Sequence, residues 1–154
     1  MLTDSQIRAK YGEPGDDDNI VSFIAPFPMR IAWDTKTIMT KIRCHKGIKD
    51  RLENALKEIL QHYGLDKIKE LGIDLYGGCV NVRLMRGSKT KWSRHAWGIA
   101  IDLDPARNGL KVKWKDSNFA KPEYAKLHEI FEKHGFINYG KVRNMDAMHW
   151  ETNI

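Results

Sequence analysis

The sequence predicts an α+β domain in which a mostly antiparallel sheet packs against two principal helices. Two segments, 48–64 and 121–135, repeat apolar residues at helical spacing. Four short runs rich in β-branched or bulky apolar residues, 73–76, 80–85, 98–104 and 148–152, lie between and after them. A chain of 154 residues, 42% hydrophobic with five Trp, has enough material for one core and too little for two, so residues 1–154 are expected to form a single domain.

The elements follow in order. "TDSQIRAKYG" (3–12) predicts a short helix with Thr3 or Asp4 as N-cap and Gly12 as its stop, contributing mainly stability. The acidic "EPGDDDN" then breaks it. Asp16, Asp17 and Asp18 lack the spacing of a calcium loop and are expected in solvent. "IVSFIAPFPMRIAW" (20–33) is apolar, but Pro26 and Pro28 exclude a helix, leaving an extended segment against the core. In "IKDRLENALKEILQHYG" (48–64) Ile48, Leu52, Ala55, Leu56, Ile59, Leu60 and Tyr63 share one helical face, and Gly64 ends the helix. Pro122 opens the second helix, "KPEYAKLHEIFEKHG", with Leu127, Ile130 and Phe131 inward, His128 and His134 on or beside the polar face, and Gly135 as cap.

Composition excludes several classes. The longest apolar run falls well short of the roughly 20 residues of a membrane span, and the start lacks a signal-peptide pattern. A protein made in the cytoplasm, without stable membrane association, is expected. Cys44 and Cys79 are too few for a disulfide framework and read as buried small residues. The net charge of +6 favours polyanionic surroundings, but the basic residues are scattered and form no nucleic-acid motif, so no nucleic-acid partner is expected.

Chemistry concentrates in "SRHAWGIAIDLDP" (93–105) and "DAMHWE" (146–151). Period-2 alternation puts Ile99, Ile101 and Leu103 on one face of a strand and Ala100, Asp102 and Asp104 on the other. His95 would fall on the wrong face of a continuous strand, but a turn at Gly98 folds it back over Asp102. With Met148 and Trp150 inward, His149 and Glu151 face the other way, and a turn at Asp146 brings its carboxylate to the same mouth. Two histidines and one aspartate make a three-ligand zinc set with a fourth position open. A second carboxylate outside it suits a general base.

"SRHAWGIAID" followed by "DAMHWE" resembles the S-x-H-x-x-G-x-A-x-D and D/E-x-x-H motifs of the zinc D-Ala-D-Ala carboxypeptidase and L-Ala-D-Glu peptidase family, whose fold is shared with hedgehog proteins. "YGGCVNVRLMRGS" (76–88) resembles the arginine-bearing segment of its small phage members. The resemblance implies His95, Asp102 and His149 as zinc ligands and Asp146 as general base. It implies Arg83 as the cation for a substrate carboxylate or developing oxyanion, with Arg86 as its rival. Trp97 is expected to wall the peptide groove, whereas Trp150 suits core or groove equally. Ser93 is expected to bind substrate or to hold its loop, and Glu151 and Asp104 are candidate partners of the imidazoles.

The expected function is hydrolysis of a peptide bond in peptidoglycan stem peptides, by a monomer acting as a phage or prophage endolysin. The L-Ala-D-Glu bond is favoured, and the enzyme would reach the periplasmic wall after release from the cell. The alternatives are a D-Ala-D-Ala carboxypeptidase or dipeptidase, and a zinc module that only binds peptidoglycan. A binding module has no need of Asp146.

Overall fold

The Thr3 side chain accepts from Gln6 N, and the Gln6 side chain accepts from Thr3 N, so a capping box starts α1 (Asp4–Tyr11). Gly12 closes the helix. The structure, a computed structural model, describes residues 1–154. The acidic run after α1 is exposed, as the sequence predicts, and Asp16 caps the short 3-10 turn Asp17–Asn19.

The extended segment is the long strand β1 (Ile20–Ile31), which buries Phe23, Ala25, Phe27 and Met29 at alternate positions. It pairs antiparallel with β2 (Asp34–His45), and the register slips between Ile24 and Met29, where Pro26 and Pro28 have no N–H to give. Sequence analysis assigns no strand to 34–45. β2 is the sheet's edge and its first eight residues are largely exposed, so it carries no apolar alternation to read.

α2 (Lys49–Tyr63) buries Leu52, Ala55, Leu56 and Ile59 completely, and Gly64 N donates to Leu60 O at its end. A short helix the sequence did not predict, α3 (Leu65–Leu71), leads into β3 (Leu75–Gly78). β4 (Ala100–Leu103) is buried at every position. One 3-10 turn at Pro122–Tyr124 precedes α4 (Ala125–Lys133). The chain ends through β5 (Phe136–Asn138), α5 (Tyr139–Arg143) and β6 (His149–Thr152).

The six strands lie in the order β2-β1-β3-β4-β6-β5, antiparallel except for β1 with β3. α2 packs on β1 and against α4, and α4 packs on β5, which gives the α+β arrangement of one sheet and two principal helices. A hydrophobic cluster of 30 buried residues spans these elements, and both cysteines are free and buried within it. No helix is long and apolar enough to cross a membrane.

Two expectations need correction. Residues 80–85 form no strand; they belong to an irregular loop closed by a single bridge between Leu84 and Trp92. His128 is buried: its Nε2 donates to Phe119 O at 2.8 Å, and its ring stacks on Trp150. His134 is half-buried and pairs with Glu58 at 3.0 Å.

Gly98 controls the entry to β4. Its φ is 73°, and an added Cβ would lie 2.9 Å from His45 N and 3.0 Å from Ile20 Cδ1. Gly98→Ala therefore meets both a left-handed backbone and a packed backbone neighbour, and should destabilise the protein by about 2 kcal/mol or more. Chemical denaturation of the two forms measures the loss; an unchanged midpoint would show that the close approach is not required.

Candidate metal centre

β4 and β6 are neighbours, and their register sets Asp102 directly opposite His149. Residues opposite each other in an antiparallel pair point to the same side, so carboxylate and imidazole meet. On the other flank β3 sets Gly78 opposite Asp102, and a Cβ on Gly77 would approach the Asp102 Cβ to 3.0 Å. Glycine there leaves room for the aspartate.

His95 arrives from outside the sheet. It lies in the 3-10 turn Arg94–Ala96, which Ser93 caps by accepting from His95 N at 3.2 Å. The reversal at Gly98 returns the chain into β4. His95 Nδ1 donates to Cys79 O at 2.9 Å, which turns Nε2 toward Asp102 Oδ1 at 3.1 Å. On the other side of that oxygen, His149 Nδ1 also stands at 3.1 Å. His149 Nε2 donates to Glu151 Oε1 at 3.1 Å.

Each imidazole is thus held at its far nitrogen and presents the near one to a common point. The three ligand atoms lie within 4.8 Å of one another, and all three residues are buried. Tetrahedral zinc with bonds of about 2.0–2.2 Å separates its ligands by about 3.3 Å, so the spacing around Asp102 Oδ1 suits that ion. The donor chemistry agrees, since two imidazoles and a carboxylate form a borderline set with room for a fourth ligand. His95 Nε2, buried with no hydrogen-bond partner, is the atom such a cation would satisfy.

Electrostatics points the same way. Burial opposes the Asp102 charge, but the hydrogen bond from His149 and the His95 imidazole beside it outweigh it and hold the carboxyl well below the usual range. Burial likewise opposes a charged His149, and the bonds to Asp102 and Glu151 reverse the balance, raising its pKa. The pocket therefore stabilises positive charge between these groups.

A cavity of about 380 Å³ opens over the group. Asp146 lines it from the turn before β6, where Asn144 and Asp146 both take left-handed conformations, at φ 58° and 61°. Asn and Asp tolerate that region better than other residues with a Cβ, so "NMD" is suited to the turn. Asp146 Oδ1 is buried without a hydrogen-bond partner, and burial raises the pKa of its carboxyl.

Among the other residues singled out in the sequence, Arg83, Arg86 and Ser93 line the cavity. Arg83 is half-buried and donates to Leu84 O at 3.3 Å, whereas Arg86 is exposed at the mouth. Trp97 does not line the groove. It is 1% exposed, and its Nε1 donates to Gly12 O at 2.8 Å, which ties the indole under α1. Trp150 is fully buried in the core, while Met148, expected to face inward beside it, lines the cavity. Asp104 is turned away and pairs with Arg107. Sequence reading missed Arg94, Tyr139 and Arg143, which also line the cavity. Adjacency to His95 was a signal for Arg94; Tyr139 and Arg143 gave none, because α5 reaches the mouth only through the fold.

Comparison with known proteins agrees with this geometry. No curated protein and no solved structure matched the chain. A family model described as D-alanyl-D-alanine carboxypeptidase matches residues 86–152. The matched segment contains the His95–Asp102–His149 group and Asp146, and leaves out Arg83 and the elements from α1 to β3. Over residues 86–152 the chain is thus similar to the D-alanyl-D-alanine carboxypeptidase family.

Proposed function

We propose that the chain, acting as one domain over residues 1–154, is a zinc peptidase that hydrolyses a peptide bond in the stem peptides of bacterial peptidoglycan. The observation that carries this reading is the convergence of His95, Asp102 and His149 at the base of a cavity that Asp146 also lines. His95 through Nε2, Asp102 through Oδ1 and His149 through Nδ1 would hold the ion. When bound, zinc would supply Lewis acidity, lowering the pKa of a water towards about 7 and polarising the substrate carbonyl.

The chain's own residues do the rest. Asp146, with its unpartnered oxygen, takes a proton from the attacking water and returns it to the leaving amine. Arg83 binds a substrate carboxylate or steadies the charge growing on the carbonyl oxygen, with Arg86 as the alternative. Ser93 holds the His95 turn and presents its edge to substrate. Arg83, Arg86, Lys91 and Arg143 along the cavity suit an anionic peptide.

Within that class we favour the L-Ala-D-Glu bond, whose D-Glu keeps a free α-carboxylate beside the scissile amide, and a role as a phage or prophage endolysin acting on the wall as a monomer. The second reading is a D-Ala-D-Ala carboxypeptidase, which the description of the matching family favours. A zinc module that only binds peptidoglycan is disfavoured by the buried, unpartnered carboxylate oxygen of Asp146 beside the group.

Metal analysis should find one zinc per chain, and His95→Ala and His149→Ala should each lose it. Full retention in both variants would overturn the ligand assignment. Asp146→Asn should keep zinc while the rate of hydrolysis falls by about 100- to 10,000-fold; zinc loss would instead make Asp146 a ligand. Mass analysis of purified peptidoglycan after digestion should reveal new D-Glu amino termini as turbidity falls. Release of free D-Ala with turbidity unchanged would establish the carboxypeptidase reading in its place.

A further inference from the structure

Glu151 is the residue through which the candidate centre meets the rest of the protein. It sits on β6 opposite Ala100 and is 1% exposed. Its Oε1 accepts from His149 Nε2, while its Oε2 is buried without a hydrogen-bond partner. A carboxylate oxygen in that position is costly unless a charge faces it. Arg94 supplies the charge, with Nε 3.5 Å from Oε2.

Arg94 is itself anchored at the far end. Nη1 donates to Asp4 Oδ1 at 2.7 Å and Nη2 to Leu2 O at 3.0 Å. Its guanidinium carbon lies 5.8 Å from the ring centre of Trp97, which is fixed in turn to Gly12 O. Nε, Nη1 and Nη2 thus each meet a different partner. A lysine ammonium on a flexible stem has no equivalent to this fixed fork. A continuous line of contacts runs from Asp4 through Arg94, Glu151 and His149 to Asp102.

We propose that Arg94 is a positioning residue for the metal centre, and that the segment opening α1 is part of that centre's support. Arg94 fixes Glu151, and Glu151 fixes the His149 ring so that Nδ1 points at the ion. The role expected of the first helix from sequence, mainly stability, is thereby extended to metal affinity. The inference rests on the zinc reading above and concerns a residue that is not a ligand of the ion.

Zinc affinity, measured by competition with a chromophoric chelator on the full chain, tests it without recourse to activity. Arg94→Met should bind zinc about 10- to 100-fold more weakly while still reaching one zinc per chain at saturation. Arg94→Lys should recover only part of the loss, and Asp4→Asn should show a smaller loss of the same kind. Because Arg94 acts through Glu151, the double variant Arg94→Met/Glu151→Gln should bind no more weakly than Glu151→Gln alone. Wild-type affinity in Arg94→Met, or a loss that adds in full to that of Glu151→Gln, would overturn the inference and leave the metal centre standing. A wild-type chain that binds no zinc would overturn both. If Arg94→Met fails to fold, Arg94→Lys decides, since it keeps the charge and loses the fork; affinity equal to wild type then refutes the role.

Discussion

A single buried oxygen organises this molecule. Asp102 Oδ1 is approached to 3.1 Å by one nitrogen from each of His95 and His149. The carboxylate lies on β4, with β3 on one side and β6 on the other, where an unpaired charge would be strongly disfavoured. Its tolerance depends on both imidazoles arriving correctly. One is brought by strand register, because β4 and β6 set Asp102 opposite His149. The other is brought by a chain reversal, because Gly98 turns the His95 segment back over the strand.

The scaffold makes those positions rigid. The buried face of α2 and that of α4 cover the sheet, and Trp150, next to His149, is locked among Phe119, Phe131 and His128. The strand that carries His149 is also fastened near its end: Arg51 on α2 donates to Thr152 Oγ1 at 2.9 Å and to the Tyr11 hydroxyl at 3.0 Å. Tyr11 donates in turn to Ile154 O. The last residues of the chain are thereby held to α1 and α2. Groups placed on regular strands whose neighbours are packed hold their geometry more tightly than groups on free loops.

The cavity's mouth follows a different rule. The loop from Cys79 to Ser93 and the helix α5 build its rim, and both are more exposed than the strands below them. Polar backbone in the loop is satisfied locally, with Met85 N donating to Lys91 O and Ser93 N to Arg83 O. The floor is acidic and the rim mostly basic. That separation keeps opposite charges from cancelling and leaves cations facing an incoming anionic peptide.

What the sequence determined by itself was whatever local periodicity or a short motif encodes. α2 was legible because Leu52, Ala55, Leu56 and Ile59 repeat at helical spacing, β4 because its alternation is strong, and the reversal at Gly98 because His95 could not otherwise reach the face of Asp102. Tertiary structure decided the remainder. β2 is an edge strand whose outward residues answer to solvent, so its pattern carried no signal. Residues 80–85 have the composition of a strand, but the strand facing β3 is β4, and that segment is left to close a loop. Trp97 and His128 stand on positions that read as groove and surface. Trp97 is buried because the distant end of α1 covers it and accepts its N–H, and His128 because the Phe119 turn accepts its N–H while Trp150 of β6 stacks on its ring. The same holds for Arg94, whose partners Leu2, Asp4 and Glu151 are separated from it by at least 57 positions in the chain. Contacts of that range depend on how sheet and helices close on one another, and no local pattern of residues records them.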